Sequence, residues 1–198
     1  MQKGLNYRVA ALMAISFLAQ LALLPASFAA EKSSEEKFFW AISYDKVAEI
    51  KALLKKGVSP NARTAEMLNQ TALSWALTRN SYKAAFLLLE SGADPNLKDD
   101  ENDSAFTWAV QIGHGDLVKA MLDKGADPNA LIPRGYSDSI PVLINAIGGK
   151  NTGVTKALIN AGANVNIKDG RGRTPLFHAR RLKWQEIILL LESKGAKP

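Results

Sequence analysis

The sequence predicts an all-α solenoid built from stacked helix-turn-helix units. Three observations predict it. Five glycines, Gly57, Gly92, Gly125, Gly162 and Gly195, follow one another at spacings of 35, 33, 37 and 33 residues. Sixteen residues before each stands an alanine: Ala41, Ala76, Ala109, Ala146 and Ala179. The residues around each glycine are nearly the same text. A fixed period of this size marks repeats that bury their cores by stacking.

Each unit reads as turn, short helix, tight turn, longer helix and extended loop. The short helix opens on Thr71-Ala72-Leu73-Ser74-Trp75-Ala76, on Ser104-Ala105-Phe106-Thr107-Trp108-Ala109, or on Thr174-Pro175-Leu176-Phe177-His178-Ala179. A hydroxyl cap, and then Pro with φ already set, suits a helix start. A second apolar stretch follows, such as Tyr82 to Glu90 or Asp116 to Leu122. It ends in Leu-Leu-Lys-Lys-Gly-Val-Ser-Pro-Asn (53–61), Leu-Leu-Glu-Ser-Gly-Ala-Asp-Pro-Asn (88–96), Met-Leu-Asp-Lys-Gly-Ala-Asp-Pro-Asn (121–129) or Leu-Ile-Asn-Ala-Gly-Ala-Asn-Val-Asn (158–166). Residues 191–198 are a worn version. Glycine just past a helix accepts the left-handed conformation, and Asp, Asn and Pro then favour a turn.

These units resemble the ankyrin repeat. Thr174-Pro175-Leu176, Gly113-His114-Gly115-Asp116 and the Gly-Ala-Asp-Pro-Asn runs carry the resemblance. It implies a solenoid of five units, about 36–68, 69–101, 102–134, 139–171 and 172–198, within a domain 36–198. Lys37-Phe38-Phe39-Trp40 opens the first unit in place of Thr-Pro-Leu, as a cap would. The family usually follows Thr-Pro-Leu with His, which ties neighbouring turns. Here that place holds Ser74, Thr107, Ile144 and Phe177. The last two cannot hydrogen-bond and leave units four and five more dependent on packing. The excess length falls near 58–70 and 130–140, and both stretches are expected to be loops, where insertions are tolerated.

Residues 1–29 read differently. Lys3 and Arg8 precede an apolar run from Val9 to Leu24, then Pro25, then Ser27-Phe28-Ala29. This is the pattern of a secretory signal peptide, with cleavage expected after Ala29. The run has 16 residues, short of the roughly 20 that span a bilayer, so no stable membrane insertion is expected after cleavage. The signal resembles bacterial export signals, which implies a periplasmic protein. Residues 30–35 read as a flexible lead-in. There is no cysteine, so neither disulfides nor Cys-based metal sites are available. Without Lys3 and Arg8, 23 basic residues face 19 acidic ones. That modest balance does not suggest nucleic acid.

No catalytic, cofactor or metal constellation is expected. His114 and His178 are the only histidines, and neither has a ligand-spaced companion. His114 sits in an inter-helix turn with a structural role. Gly170-Arg171-Gly172 is a loop tip with no preceding strand. Trp40, Trp75 and Trp108 share one repeat position, which Asn145 and His178 fill later. That column fits either inter-repeat core or an aromatic stripe for a partner.

The resemblance implies a non-enzymatic, monomeric module that binds another protein through its concave face. Carried onto this sequence, the loop tips are Met67, Leu68 and Gln70; Asp100, Glu101 and Asp103; Asp138; Arg171 and Arg173. The ends of the first helices add Tyr44, Arg79, Gln111, Ile112 and Arg181. The tips are acidic in the middle and basic at the end, a polarity that would speed association with an oppositely polarised partner. Exported relatives of this kind imply an accessory of an envelope enzyme such as a catalase. The alternatives are an immunity protein against a toxin delivered to the periplasm, or an effector secreted into a host.

Overall fold

In a computed structural model of the 198-residue chain, the described residues are 33–64, 68–134 and 138–197. They form ten helices and one two-stranded sheet. In chain order these are α1 Ser34–Ser43, α2 Val47–Lys55, α3 Ala72–Thr78, α4 Tyr82–Glu90, α5 Ala105–Ile112, α6 Gly115–Asp123, β1 Leu131–Arg134, β2 Asp138–Pro141, α7 Val142–Gly148, α8 Thr152–Asn160, α9 Pro175–Arg181 and α10 Gln185–Ser193. The expected signal peptide and Met67 lie outside the described residues.

Contacts divide the chain into Met1–Lys37 and Phe38–Pro198. In the first unit, Ser33 opens α1 with a reciprocal cap. Its hydroxyl accepts Glu36 N–H at 3.1 Å, and the Glu36 carboxylate accepts Ser33 N–H at 2.7 Å. Helix thus begins at Ser34, inside the stretch expected to be a lead-in, because this cap satisfies the first free amides.

The second unit is a two-layer stack. Helices of seven to ten residues are too short to stand alone in water, so each must gain its stability from neighbours. Helices α3 and α4, α5 and α6, α7 and α8, and α9 and α10 pack in pairs. One layer then runs through α3, α5, α7 and α9, and the other through α2, α4, α6, α8 and α10, each helix against the next of its layer. The period alanines Ala41, Ala76, Ala109, Ala146 and Ala179 are all buried. A small side chain at the crossing lets adjacent first helices approach closely. Phe38, Phe106, Leu73, Leu88, Leu117 and Met121 are among the largest fully buried side chains of the core.

The repeat glycines end the second helices. All five have φ between +83° and +94°. After each, the next amide reaches back over the turn, as Ala93 N–H does to Leu88 C=O at 2.9 Å and Ala126 N–H to Met121 C=O at 2.9 Å. This is the Schellman closure, which satisfies otherwise orphaned carbonyls. The asparagines that follow link one turn to the next. Asn61 Oδ1 accepts Asp94 N–H at 2.8 Å, Asn96 Oδ1 accepts Asp127 N–H at 3.0 Å, Asn129 Oδ1 accepts Asn164 N–H at 2.7 Å, and Asn166 Oδ1 accepts Lys197 N–H at 2.7 Å. The conspicuous Asn of each run is therefore a staple between neighbours.

The inter-helix turns need one left-handed residue each. Asp45, Asn80, Gly113, Lys150 and Lys183 supply it. At Gly113 a Cβ would lie 2.5 Å from Asn151 Nδ2. That amide donates to Gly113 C=O at 2.7 Å, while Asn151 Oδ1 caps α8 through Val154 N–H. A side chain at that position would have to displace the Asn151 amide from this bond.

Within 130–140, the described residues from 131 on pair as strands and are not a loop. Strands β1 and β2 pair antiparallel in the register Leu131 to Pro141, Ile132 to Ile140, Pro133 to Ser139 and Arg134 to Asp138. The all-α expectation is corrected to this extent. The extra residues are enough to pair two strands, and burying Ile132 to 1% exposure anchors the hairpin. A two-stranded ribbon has only edges, which is where Pro133 is tolerated. Strand β1 rests on α5 and β2 on α7.

One buried group has no counterpart. Thr155, in α8, is fully buried and its hydroxyl meets no hydrogen-bond partner. Val is nearly isosteric and equally tolerated in a helix. Thr155→Val should therefore stabilise the fold by about 1 kcal/mol, raising the midpoint of thermal unfolding by roughly 2–4 °C. A lowered midpoint by circular dichroism would refute this account of the site.

Candidate functional site

The first helices carry pairs of side chains four residues apart: Trp40 and Tyr44 from α1, Trp75 and Arg79 from α3, Trp108 and Ile112 from α5. Residues at this spacing lie on one helix face. The structure treats the three pairs differently. Trp40, Tyr44, Trp108 and Ile112 are 38–43% exposed, whereas Trp75 is 7% exposed. The Trp75 indole N–H donates to Ser43 Oγ at 2.9 Å, and lies 3.3 Å from Phe39 C=O. Its ring meets Phe39 edge-on at 6.2 Å, and Arg79 Cζ lies 4.2 Å from its centroid. Trp75 therefore ties α3 to α1, while Trp40 and Trp108 face outward. The tryptophan column is neither all core nor all stripe.

The sequence leaves Trp40, Trp75 and Trp108 open between core and partner stripe, and of these pairs names only Tyr44, Arg79 and Ile112 as site residues. The missed signal was that pairing itself. Trp40 and Tyr44 rings lie 5.0 Å apart. Large apolar side chains so exposed on α1 and α5, either side of α3, suit partner anchoring.

Arg79 sits between these pairs. Its Nε is buried and unpaired, and it forms no ion pair among the described residues. Burial pushes its guanidinium below the usual range, and the nearby Tyr44 acts the other way.

The loop tips are less free than their charges suggest. Asp103 accepts from Ser104 N–H at 2.9 Å and Gln111 Nε2 at 3.2 Å, and it bonds the Thr107 hydroxyl. It fixes the start of α5, so this tip residue is also a structural partner of Gln111 near the end of that helix. Asp100 and Glu101 are exposed, and Asp100 takes a bond from Asn69 Nδ2 at 3.3 Å. Leu68 is 44% exposed and has φ of +68°. Its carbonyl accepts Asp100 N–H at 3.0 Å, which joins adjacent tips. Gln70 is half-buried, pairing through its backbone with Thr64. Asp138 lies within β2 as the strand partner of Arg134, not at a free tip.

At the C-terminal end Arg171 and Arg181 are exposed, but Arg173 is not a free cation. Its Nε and Nη2 each reach Asp169 Oδ2 at 2.8 Å. Asp169 also accepts Arg171 N–H and Arg173 N–H at 2.9 Å, and meets His178 Nε2 at 2.9 Å. Its side chain is 6% exposed. Burial pushes the Asp169 carboxyl up, but the hydrogen bonds from Arg173, His178 and Arg171 outweigh it and hold it well below the usual carboxylate range. Asp99 occupies the same turn in the preceding acidic tip and accepts Glu101 N–H and Asp103 N–H. Burial pushes Asp99 up, and with Asp103 and Asp100 beside it in place of cations the net direction is upward. Glu101 is likewise raised, by burial and then by Asp99 and Asp103.

Both histidines are structural. His114 Nδ1 accepts Leu117 N–H at 3.3 Å and caps α6, with its ring 4.4 Å from that of Tyr82. His178 is buried on Asp169, a carboxylate nine residues away that local spacing does not reveal. One place earlier, Phe177 is 45% exposed. Among the described residues no cluster of His, Asp and Glu could hold a metal. None of their helices is long and apolar enough to cross a membrane.

A family model described as ankyrin repeats (3 copies) matches residues 18–99, 38–132 and 106–198. The chain belongs to the ankyrin-repeat family. Ankyrin repeats are generally protein–protein interaction modules and are typically non-catalytic. The exposed pairs on the first helices of this ankyrin stack are therefore its candidate interaction site.

Proposed function

We propose that this ankyrin protein is a non-catalytic binding module of the bacterial periplasm, its ten described helices making five ankyrin units. It engages one protein partner through the face of its first helices and the adjoining tips. Export rests on the signal-like residues 1–29, and the role it serves is that of an accessory to an envelope enzyme, catalase being the class implied by exported relatives. The observation that carries the interface is the exposure of Trp40, Tyr44, Trp108 and Ile112 around a buried Trp75. Outward indoles on a rigid stack lose little conformational entropy on binding.

Cell fractionation with mass spectrometry of the purified protein tests export: a periplasmic protein beginning at Ala30 is expected, and an intact Met1 in the cytoplasmic fraction would sink it. Pull-down from the envelope extract of its own organism tests the interface. A stoichiometric partner should be captured by the native protein and lost with Tyr44→Ala/Ile112→Ala. A partner retained by the double variant would move the contact elsewhere.

A further inference from the structure

Among the described residues Arg79 forms no ion pair, and it stands between apolar pairs on the first helices. Two acids of the flanking units are engaged elsewhere. The Asp45 carboxylate accepts Ala84 N–H at 2.7 Å, and Asp103 holds the start of α5. The Trp75 ring supports one face of the guanidinium at 4.2 Å, which fixes its position before any partner arrives. Its Nε is buried without an acceptor. An incoming anion cannot reach that buried nitrogen, but the half-exposed guanidinium forms no ion pair among the described residues, and an anion reaching its outer nitrogens would pair a charge the fold leaves uncompensated.

We propose that Arg79 anchors a carboxylate side chain of the protein partner, with Trp40 and Tyr44 on one side and Trp108 and Ile112 on the other taking apolar residues next to that acid. This rests on the reading of the first-helix face as the docking surface. The ligand is a short segment in which Asp or Glu stands among large apolar residues. A nucleic-acid strand is disfavoured, because phosphate backbones are held by arrays of cations. The positions equivalent to Arg79 in the other first helices hold Tyr44, Ile112, Gly149 and Leu182, so this row of positions carries a single charge.

A phage library of random dodecapeptides selected on the full-length protein tests this. The expected winners carry Asp or Glu beside Leu, Phe or Trp. Synthetic copies should bind roughly ten- to a hundredfold more weakly to Arg79→Gln, and Arg79→Lys should recover part of the loss, since it keeps the charge but not the fork. Thermal unfolding of each variant separates a lost contact from a lost fold. If Arg79→Gln does not fold, replacing the peptide's acid by its amide gives the same comparison on the native protein. Winners without an acid, or binding that falls with Trp108→Ala but not with Arg79→Gln, overturn the anchor and leave the face standing. Winners indifferent to both substitutions overturn the face as well. Failure to enrich any peptide also overturns the anchor, because a short linear segment is the ligand it claims.

Discussion

Trp75→Ala should cost about 3–5 kcal/mol of stability, whereas Trp108→Ala, at the same place in the next unit, should cost about 1–2 kcal/mol. The reason lies in what each indole covers. Trp75 is 7% exposed and gives its N–H to Ser43 on the neighbouring first helix, so its removal opens a cavity and breaks the bond that ties the two helices, leaving the Ser43 hydroxyl only its own bond to Phe39 C=O. Trp108 is 38% exposed and surrenders less buried area. Binding should reverse the order. Trp108→Ala should abolish partner capture while the protein still melts cooperatively. Urea unfolding of both variants beside a binding assay gives the answer. Equal losses of stability would mean that the tryptophans form one continuous core after all.

Asp169→Ala should cost roughly 3 kcal/mol, because it strips an acceptor from two backbone amides, from Arg173 and from the buried His178. The same carboxylate sets an acid limit. Its pKa in the fold lies below the value of about 3.9 expected when unfolded. The stability it contributes is therefore fully present above about pH 4 and is lost as the pH falls through and below that value. Asp169→Asn retains a carbonyl for the amides but has no charge to titrate. Its stability should fall less between pH 5 and pH 2.5 than that of the native protein. Parallel slopes over that range, by chemical denaturation at each pH, would remove Asp169 from the acid sensitivity. The last unit should respond first, since terminal repeats have a neighbour on one side only.

Much of this molecule is local and therefore legible. Glycine at φ near +90°, a hydroxyl before a helix and an alanine at a helix crossing each act within a few residues, and their recurrence sets the stack. Gly57 to Gly195, Thr71, Ser104 and Thr174 did in the fold what their types predict. The sequence alone determined the helical repeat, its period and the places where the period is broken. What it did not determine depends on neighbours distant in the chain. Whether the insert at 130–140 would drift or pair hinged on two short strands finding α5 and α7 to lie on. Which of three like-placed tryptophans is buried hinged on Phe39 and Ser43, more than thirty residues before Trp75. Whether a charged tip is free hinged on who else reaches it: Asp103 and Arg173 are consumed within the fold, and Arg79 is left unpaired. Charge and size are properties of a residue, but exposure and pairing belong to the packed neighbourhood. The tertiary structure alone decided those, and with them the face that a partner can use.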